Sequence, residues 1–207
     1  MNTLTGKPEL KRALFHIVST IAMGFVAAKV LGVMALCVAF AFVAYVECKR
    51  KGHASLQQFV IEEFGDYMSD EEKADPPKLS GILPMLGALI VALTFLSQSQ
   101  FGLMILIMAL GDPAARIAGV WFSNKYGVEK YRLPWAKNKS MAGFAAIWIV
   151  GAILTALWGF TWSSVVVISF ACALAESIGS RKTWYSDDNM LMPCAAIGAI
   201  KFSMLFV

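Results

Sequence analysis

Three groups of residues have the types and spacing to do polar chemistry within an otherwise apolar chain. The first is Gly111-Asp112-Pro113-Ala114-Ala115-Arg116, followed by Gly119. A carboxylate at the end of an apolar run is expensive without a partner or a task. Gly111 and Pro113 are expected to break the helix there and free backbone amides beside Asp112. With Arg116 nearby, such a carboxylate can hold Mg²⁺ or orient a hydroxyl. It can equally be a helix cap paired to Arg116. The second group is the basic run from Lys125 to Lys139, closing as Lys137-Asn138-Lys139-Ser140 before Gly143. Lysines, a hydroxyl and free amides at a helix start suit a phosphate group. No GxxxxGK[ST] loop is present, and charge alone favours a loop touching lipid phosphates. The third group joins Glu176 to Asp187-Asp188-Asn189. Oxygen ligands from two adjacent helix ends fit Mg²⁺, which keeps waters and substrate phosphates in its shell. An N-cap at Asp188 or Asn189 explains one of these residues but not the cluster. An accessory set is formed by Glu9, Lys11, Arg12 and His16 with Glu47 and Arg50. There the bland expectation is an Arg12–Glu47 ion pair and a histidine hydrogen-bonded inside a bundle.

The elements that must position these groups follow from composition. Of 207 residues, 58% are hydrophobic and 15% charged, against about 25% charged in soluble domains. This excludes an ordinary soluble globule, a disordered chain and a large soluble catalytic domain. Apolar stretches run roughly over 13–28, 30–46, 80–96, 101–122, 141–159, 162–178 and 190–207. They are expected to form seven helices of an all-α, polytopic integral membrane protein, most near the short end of the roughly 20 residues a bilayer needs. Val26-Ala27-Ala28 resembles a cleavage site, but a second apolar run follows at once, so a hairpin turning at residues 29–32 is preferred to a signal peptide. Of the 18 Lys and Arg residues, all but Lys29 and Lys201 fall on one side of this arrangement, with all 14 acids. The positive-inside rule makes that side cytoplasmic. The N-terminus is then cytoplasmic and the C-terminus opposite, and a bacterial inner membrane is the expected location.

Residues 1–207 read as one domain, with two cytoplasmic insertions. Segment 52–79 carries an amphipathic surface helix over Leu56, Phe59, Val60, Glu63, Phe64 and Tyr67. Segment 123–139 is the basic loop. The net charge of +4 belongs to topology and headgroups rather than to nucleic acid. The four cysteines form no CxxC pair, so neither a zinc site nor a disulfide framework is expected. Carboxylates, lysines and broken helices converge on one face of a hydrophobic bundle, which is the parts list for phosphoryl transfer to a lipid.

These residues resemble, in order along nearly the whole chain, the CTP-dependent polyprenol kinase family, which includes dolichol kinases, phytol kinases and a fungal diacylglycerol kinase. Lys11-Arg12-Ala13-Leu14-Phe15-His16 is similar to its opening basic motif, with Ala13 where a basic residue is frequent. Lys78-Leu79-Ser80-Gly81 is similar to its entry to the third span, without the Arg…Glu usual upstream. Gly111-Asp112…Ala115…Gly119…Phe122 resembles its Gly-Asp signature, with Ser123 in place of a glycine. Lys139-Ser140-Met141-Ala142-Gly143 resembles its Lys-Ser motif, and Ala142 points to the phytol kinase branch. Glu176 and Asp187-Asp188-Asn189-Met190-Leu191-Met192-Pro193 resemble its closing motif.

The resemblance implies transfer of the CTP γ-phosphate to a long-chain isoprenoid alcohol, with Mg²⁺ or another divalent cation. It implies a catalytic or metal role for Asp112 and phosphate binding by Lys139, Ser140 and Gly143. Glu176, Asp187, Asp188 and Asn189 would complete the metal and nucleotide site, with Arg12, His16 and Glu47 accessory. Arg116, Lys125 and Lys137 join the nucleotide-binding set on charge alone. Partners would be the lipid alcohol, the nucleotide triphosphate and membrane lipids; the oligomeric state stays open. The rivals are a CTP:phosphatidate cytidylyltransferase, a small transporter or flippase, and an inactive scaffold. The first would need a second acid where this chain has Arg116. A transporter would place charge at the bilayer midplane, commonly with internal repeats.

Overall fold

A computed structural model describes residues 7–27, 32–65, 68, 70–74, 77, 80–127, 131–179 and 187–206. Its elements are α1 (Lys7–Val26), α2 (Gly32–Arg50), α3 (Ala54–Phe64), α4 (Asp70–Lys73), α5 (Ile82–Phe95) and α6 (Gln98–Tyr126). A short hairpin follows, β1 (Arg132–Leu133) and β2 (Ala136–Ser140), then α7 (Met141–Leu157), α8 (Trp162–Ile178) and α9 (Asp188–Ser203), ending in a 3-10 turn at Met204–Phe206. Among the described residues, each of the seven expected apolar stretches is mainly helical.

Local signals set the boundaries. Ser97 and Gln100 form a reciprocal capping box that starts α6. Ser140 caps α7 and Asp187 caps α9 through side-chain bonds to backbone N–H groups. Gly159, at φ 82°, supplies the left-handed residue that turns the chain from α7 into α8. The helices then stack in sequence, α6 on α7, α7 on α8 and α8 on α9. α9 returns to α6, α5 packs on α9, α2 lies outside α5, and α1 lies against α6. Leu103, Met104, Ile107 and Met108 of α6, with Leu89, Ile147, Ile168 and Ile200 from its neighbours, are fully buried at the centre.

Two expectations are corrected. The chain does not break at Gly111-Asp112-Pro113: α6 runs on through Pro113 for 29 residues. Pro113 is buried, and Gly111 packs against Ile147 of α7, so tertiary packing offsets the one hydrogen bond that proline removes. No backbone amides are freed beside Asp112 by a break. Second, the basic loop is not wholly irregular. α6 extends into it to Tyr126, and Ala136–Ser140 pairs antiparallel with Arg132–Leu133. The expected amphipathic segment is helical over α3. Gln57 is its buried residue, while Phe59 and Phe64 are exposed.

Among the described residues, α2 and α6 are long and apolar enough to cross a membrane. The Ala13–Val26 part of α1, and α5, α7 and α8, are apolar but shorter, at 10–17 residues. The uncharged connections before α6 and after α7 meet at one end of the bundle, where Trp158 Nε1 donates to Ser99 Oγ at 2.9 Å.

Candidate cation and phosphate site

At the other end of the bundle, four elements deliver charged side chains to one place. Asp112 stands midway along α6, between Gly111, which packs on Ile147 of α7, and Ala115 and Gly119, which meet the start of α7. Glu176 sits in the last turn of α8. Asp188 is the first residue of α9. Gly179 lets those two helix ends close up, since a Cβ there would lie 2.8 Å from the Asp188 Cβ and 3.0 Å from its Cα. One oxygen from each of Asp112, Glu176 and Asp188 lies within 4.8 Å of the others.

Lys139, from β2, reaches into this group. Its Nζ donates to Glu176 Oε1 and, at 3.2 Å, to Asp188 Oδ2. Burial alone would lower the pKa of this ammonium. The Asp188 and Glu176 carboxylates outweigh that effect and hold it above the ordinary lysine range. The hairpin is fastened over the site by Trp135, whose Nε1 donates to Ser177 Oγ at 3.0 Å. On the far side of Asp112, His16 Nε2 of α1 lies 3.7 Å from Oδ2.

The Ser140–Gly143 pair seals the crossing of α6 and α7. Ser140 Oγ accepts the Gly143 N–H at 3.1 Å. A Cβ at Gly143 would lie 2.8 Å from the Ala115 carbonyl oxygen, and one at Gly119 would lie 2.9 Å from Ser140 Oγ. Only residues without side chains allow this approach, and it sets Lys139 beside the acids.

The remaining expected residues are placed unequally. Arg116 follows Asp112 by one turn of α6 and is half-buried. Lys125 is thirteen residues beyond Asp112, or about 20 Å along the helix axis, and its ammonium stands over the rings of Trp121 and Tyr126 at 5.0 and 5.2 Å. It is not brought to the acids. Asp187 is the N-cap of α9, its Oδ1 accepting the Asn189 N–H at 2.9 Å. The Asn189 side chain packs on Gly81, where a Cβ would lie 2.7 Å from Nδ2. The side chains of Arg12 and Lys137 lie outside the described residues. Glu47 is paired with Arg50, at 2.8 Å to Nη2.

That pair belongs to a buried network the sequence did not reveal. Arg50 Nη1 donates to Gln57 Oε1 at 3.1 Å and to the Glu72 carbonyl at 3.3 Å. Glu47 Oε2 accepts the Ser80 N–H at 3.2 Å, and Glu72 Oε1 accepts the Gly81 N–H at 3.3 Å. Arg50 is 2% exposed and Glu47 5%. Glu47 and Arg50 share a helix face at i, i+3 spacing, which is a visible signal. Nothing in the sequence joins them to Gln57 and Glu72. The network ties α2, α3 and α4 to the start of α5, and thus to the turn against which Asn189 rests.

The donor set suits a hard divalent cation. It offers three carboxylate oxygens in reach of one another and no soft ligand. Comparison with known proteins gives one distant likeness. The chain is 27% identical over 172 residues to a probable phytol kinase, chloroplastic, of Triticum aestivum. The match takes in 76% of this chain and 55% of that protein, so the chain spans about half the length of the relative it matches. No family model matches the chain, and no solved structure matches it.

Proposed function

We propose that this chain is a membrane-embedded kinase. It transfers the γ-phosphate of CTP to the hydroxyl of a long-chain isoprenoid alcohol of the phytol or polyprenol type, giving the lipid monophosphate and CDP. The observation that carries the reading is the meeting of Asp112, Glu176 and Asp188 with the Lys139 ammonium at one end of an apolar bundle. The likeness to a probable phytol kinase supports the same chemistry. Seven spans, with this end of the bundle facing the cytoplasm of a bacterial inner membrane, are part of the proposal.

Asp112, Glu176 and Asp188 would hold a divalent cation such as Mg²⁺, which supplies charge neutralisation on the triphosphate. Lys139 and Arg116 add positive charge on the same side. Asp112 orients or deprotonates the lipid hydroxyl, with His16 fixing the carboxylate from α1. The Ser140 cap holds the start of α7 and the Lys139 backbone in place. The acceptor arrives from the bilayer along the apolar helix faces, and its tail stays in lipid while the hydroxyl reaches the acids.

The test uses purified protein in detergent, Mg²⁺, γ-³²P-CTP and a panel of lipid alcohols, with ATP in parallel. Label in the lipid together with CDP is the expected result and names the acceptor. Pyrophosphate released on adding phosphatidate would instead make the chain a cytidylyltransferase. Absence of any transfer would overturn the kinase reading.

A further inference from the structure

Lys139 occupies the place where a cation would act. Its ammonium bonds both Glu176 and Asp188, and these residues form the carboxylate group with Asp112. Carboxylate oxygens bind Mg²⁺ at about 2.0–2.1 Å. An ion taking up Glu176 and Asp188 would therefore sit within a few ångströms of the ammonium, in a site where Glu176 is buried and like charges are poorly screened. Two cations held on the same pair of carboxylates repel each other, so binding of one weakens the hold on the other. A lysine is suited to yield: its charge is compact and rides on a flexible four-carbon stem. Its backbone, in contrast, is pinned on β2 against the Ser140 cap.

Resting on the reading of this site as a cation- and nucleotide-binding centre, we propose that Lys139 is an exchangeable internal counter-ion. Its ammonium neutralises Glu176 and Asp188 until a divalent cation displaces it, and the released ammonium then turns to the nucleotide phosphates. Loading is thereby coupled. A cation alone must evict an ammonium that has no other anion to meet, whereas cation and triphosphate together satisfy every charge. The chain so avoids holding three bare carboxylates when empty, and it favours the metal–nucleotide pair over either alone.

The test reads the lysine directly in wild-type protein in detergent. Mn²⁺ binding is followed by electron paramagnetic resonance, and modification of Lys139 by an amine-reactive reagent is followed by mass spectrometry. Mn²⁺ alone should raise Lys139 modification several-fold in step with occupancy. A CTP analogue with a methylene bridge between the β- and γ-phosphates should then lower it again. In Lys139→Met, Mn²⁺ alone should bind about tenfold more tightly, since an opposing charge is gone, and its coupling to the analogue should shrink. Mn²⁺ that binds while Lys139 modification stays flat would make the lysine a fixed tether and overturn the proposal. A response that persists in Glu176→Gln would place the effect elsewhere and also overturn it. Failure of Mn²⁺ to bind wild type and Lys139→Met alike would overturn it together with the cation in the proposed function. A full labelling response without lipid phosphorylation would overturn the kinase reading alone.

Discussion

Asp112 faces two different environments: His16 on α1 at 3.7 Å, and the Glu176, Asp188 and Lys139 group on the other side. Its carboxylate is therefore the one member of the acid group that Lys139 does not bond in the described contacts, which suits it to meet a substrate. Asp112→Asn keeps the size and polarity of the side chain but removes its charge and basicity. Turnover should fall by about a hundredfold or more, with the melting temperature nearly unchanged. Near-normal turnover in that variant would exclude Asp112 from the mechanism. Gly143 is a residue of another kind, acting only through what it lacks. In Gly143→Ala the new Cβ meets the Ala115 backbone carbonyl at 2.8 Å, and a carbonyl within a packed helix cannot turn aside. The α6–α7 crossing should open at a cost of about 1–3 kcal/mol, seen as a lower melting temperature. Unchanged melting would show that the crossing adjusts without strain.

Helices and their connections decide which of these residues meet. The segment between α2 and α5, expected as a cytoplasmic insertion with an amphipathic surface helix, folds back through Arg50, Gln57 and Glu72 onto the start of α5. Because the Arg50 guanidinium is buried, its removal leaves Glu47 charged with its main partner gone and takes the Arg50 donor from Gln57 Oε1, while the Glu72 carbonyl keeps the Gln57 Nε2–H. Arg50→Met should destabilise the protein by about 3–5 kcal/mol. Paired replacement, Arg50→Met with Glu47→Leu, should recover part of that loss, because the stranded charge is then absent. If the double variant melts lower than the single one, the ion pair is not the linkage that holds this loop. α6 makes the complementary point. Its cap, length and apolar pattern are local properties. That Pro113 sits within it unbroken is not, because the bend or break that proline favours is opposed by the packing of α6 on α7.

Across the whole molecule, charge and apolar surface are segregated. Large side chains such as Met34, Val38 and Phe42 of α2, and Trp162 of α8, stand exposed, which fits contact with lipid if the proposed spans hold. One end carries the acids, Lys139 and the hairpin. At the other, the uncharged turns before α6 and after α7 are joined by Trp158 and Ser99. In a cysteine-free background, Lys125→Cys should react with a membrane-impermeant thiol reagent only after the cytoplasmic side is opened. Ser163→Cys should react from the opposite side in intact cells. Labelling of both from the same side would overturn the proposed topology.

Local pattern alone was enough for the helical class, the seven apolar stretches and a cap at the start of α9, which the fold puts at Asp187 rather than at the expected Asp188 or Asn189. Each of these depends on residues within one or two turns of each other. It also picked out Asp112, Lys139, Glu176 and Asp188, because a charge in an apolar chain is conspicuous wherever it lies. What it could not determine was which charges meet. Lys125 and Lys139 look alike in the basic run, but one lies over Trp121 and Tyr126 while the other bonds two acids. Glu47 pairs with Arg50 one turn on, but Arg50 also reaches Gln57 and Glu72, which no spacing announces. Only the stacking of α6 to α9, closed by glycines whose missing side chains admit a neighbour's backbone, brought residues 112, 139, 176 and 188 together. Such approaches depend on contacts between residues far apart in the chain, and no local pattern encodes them.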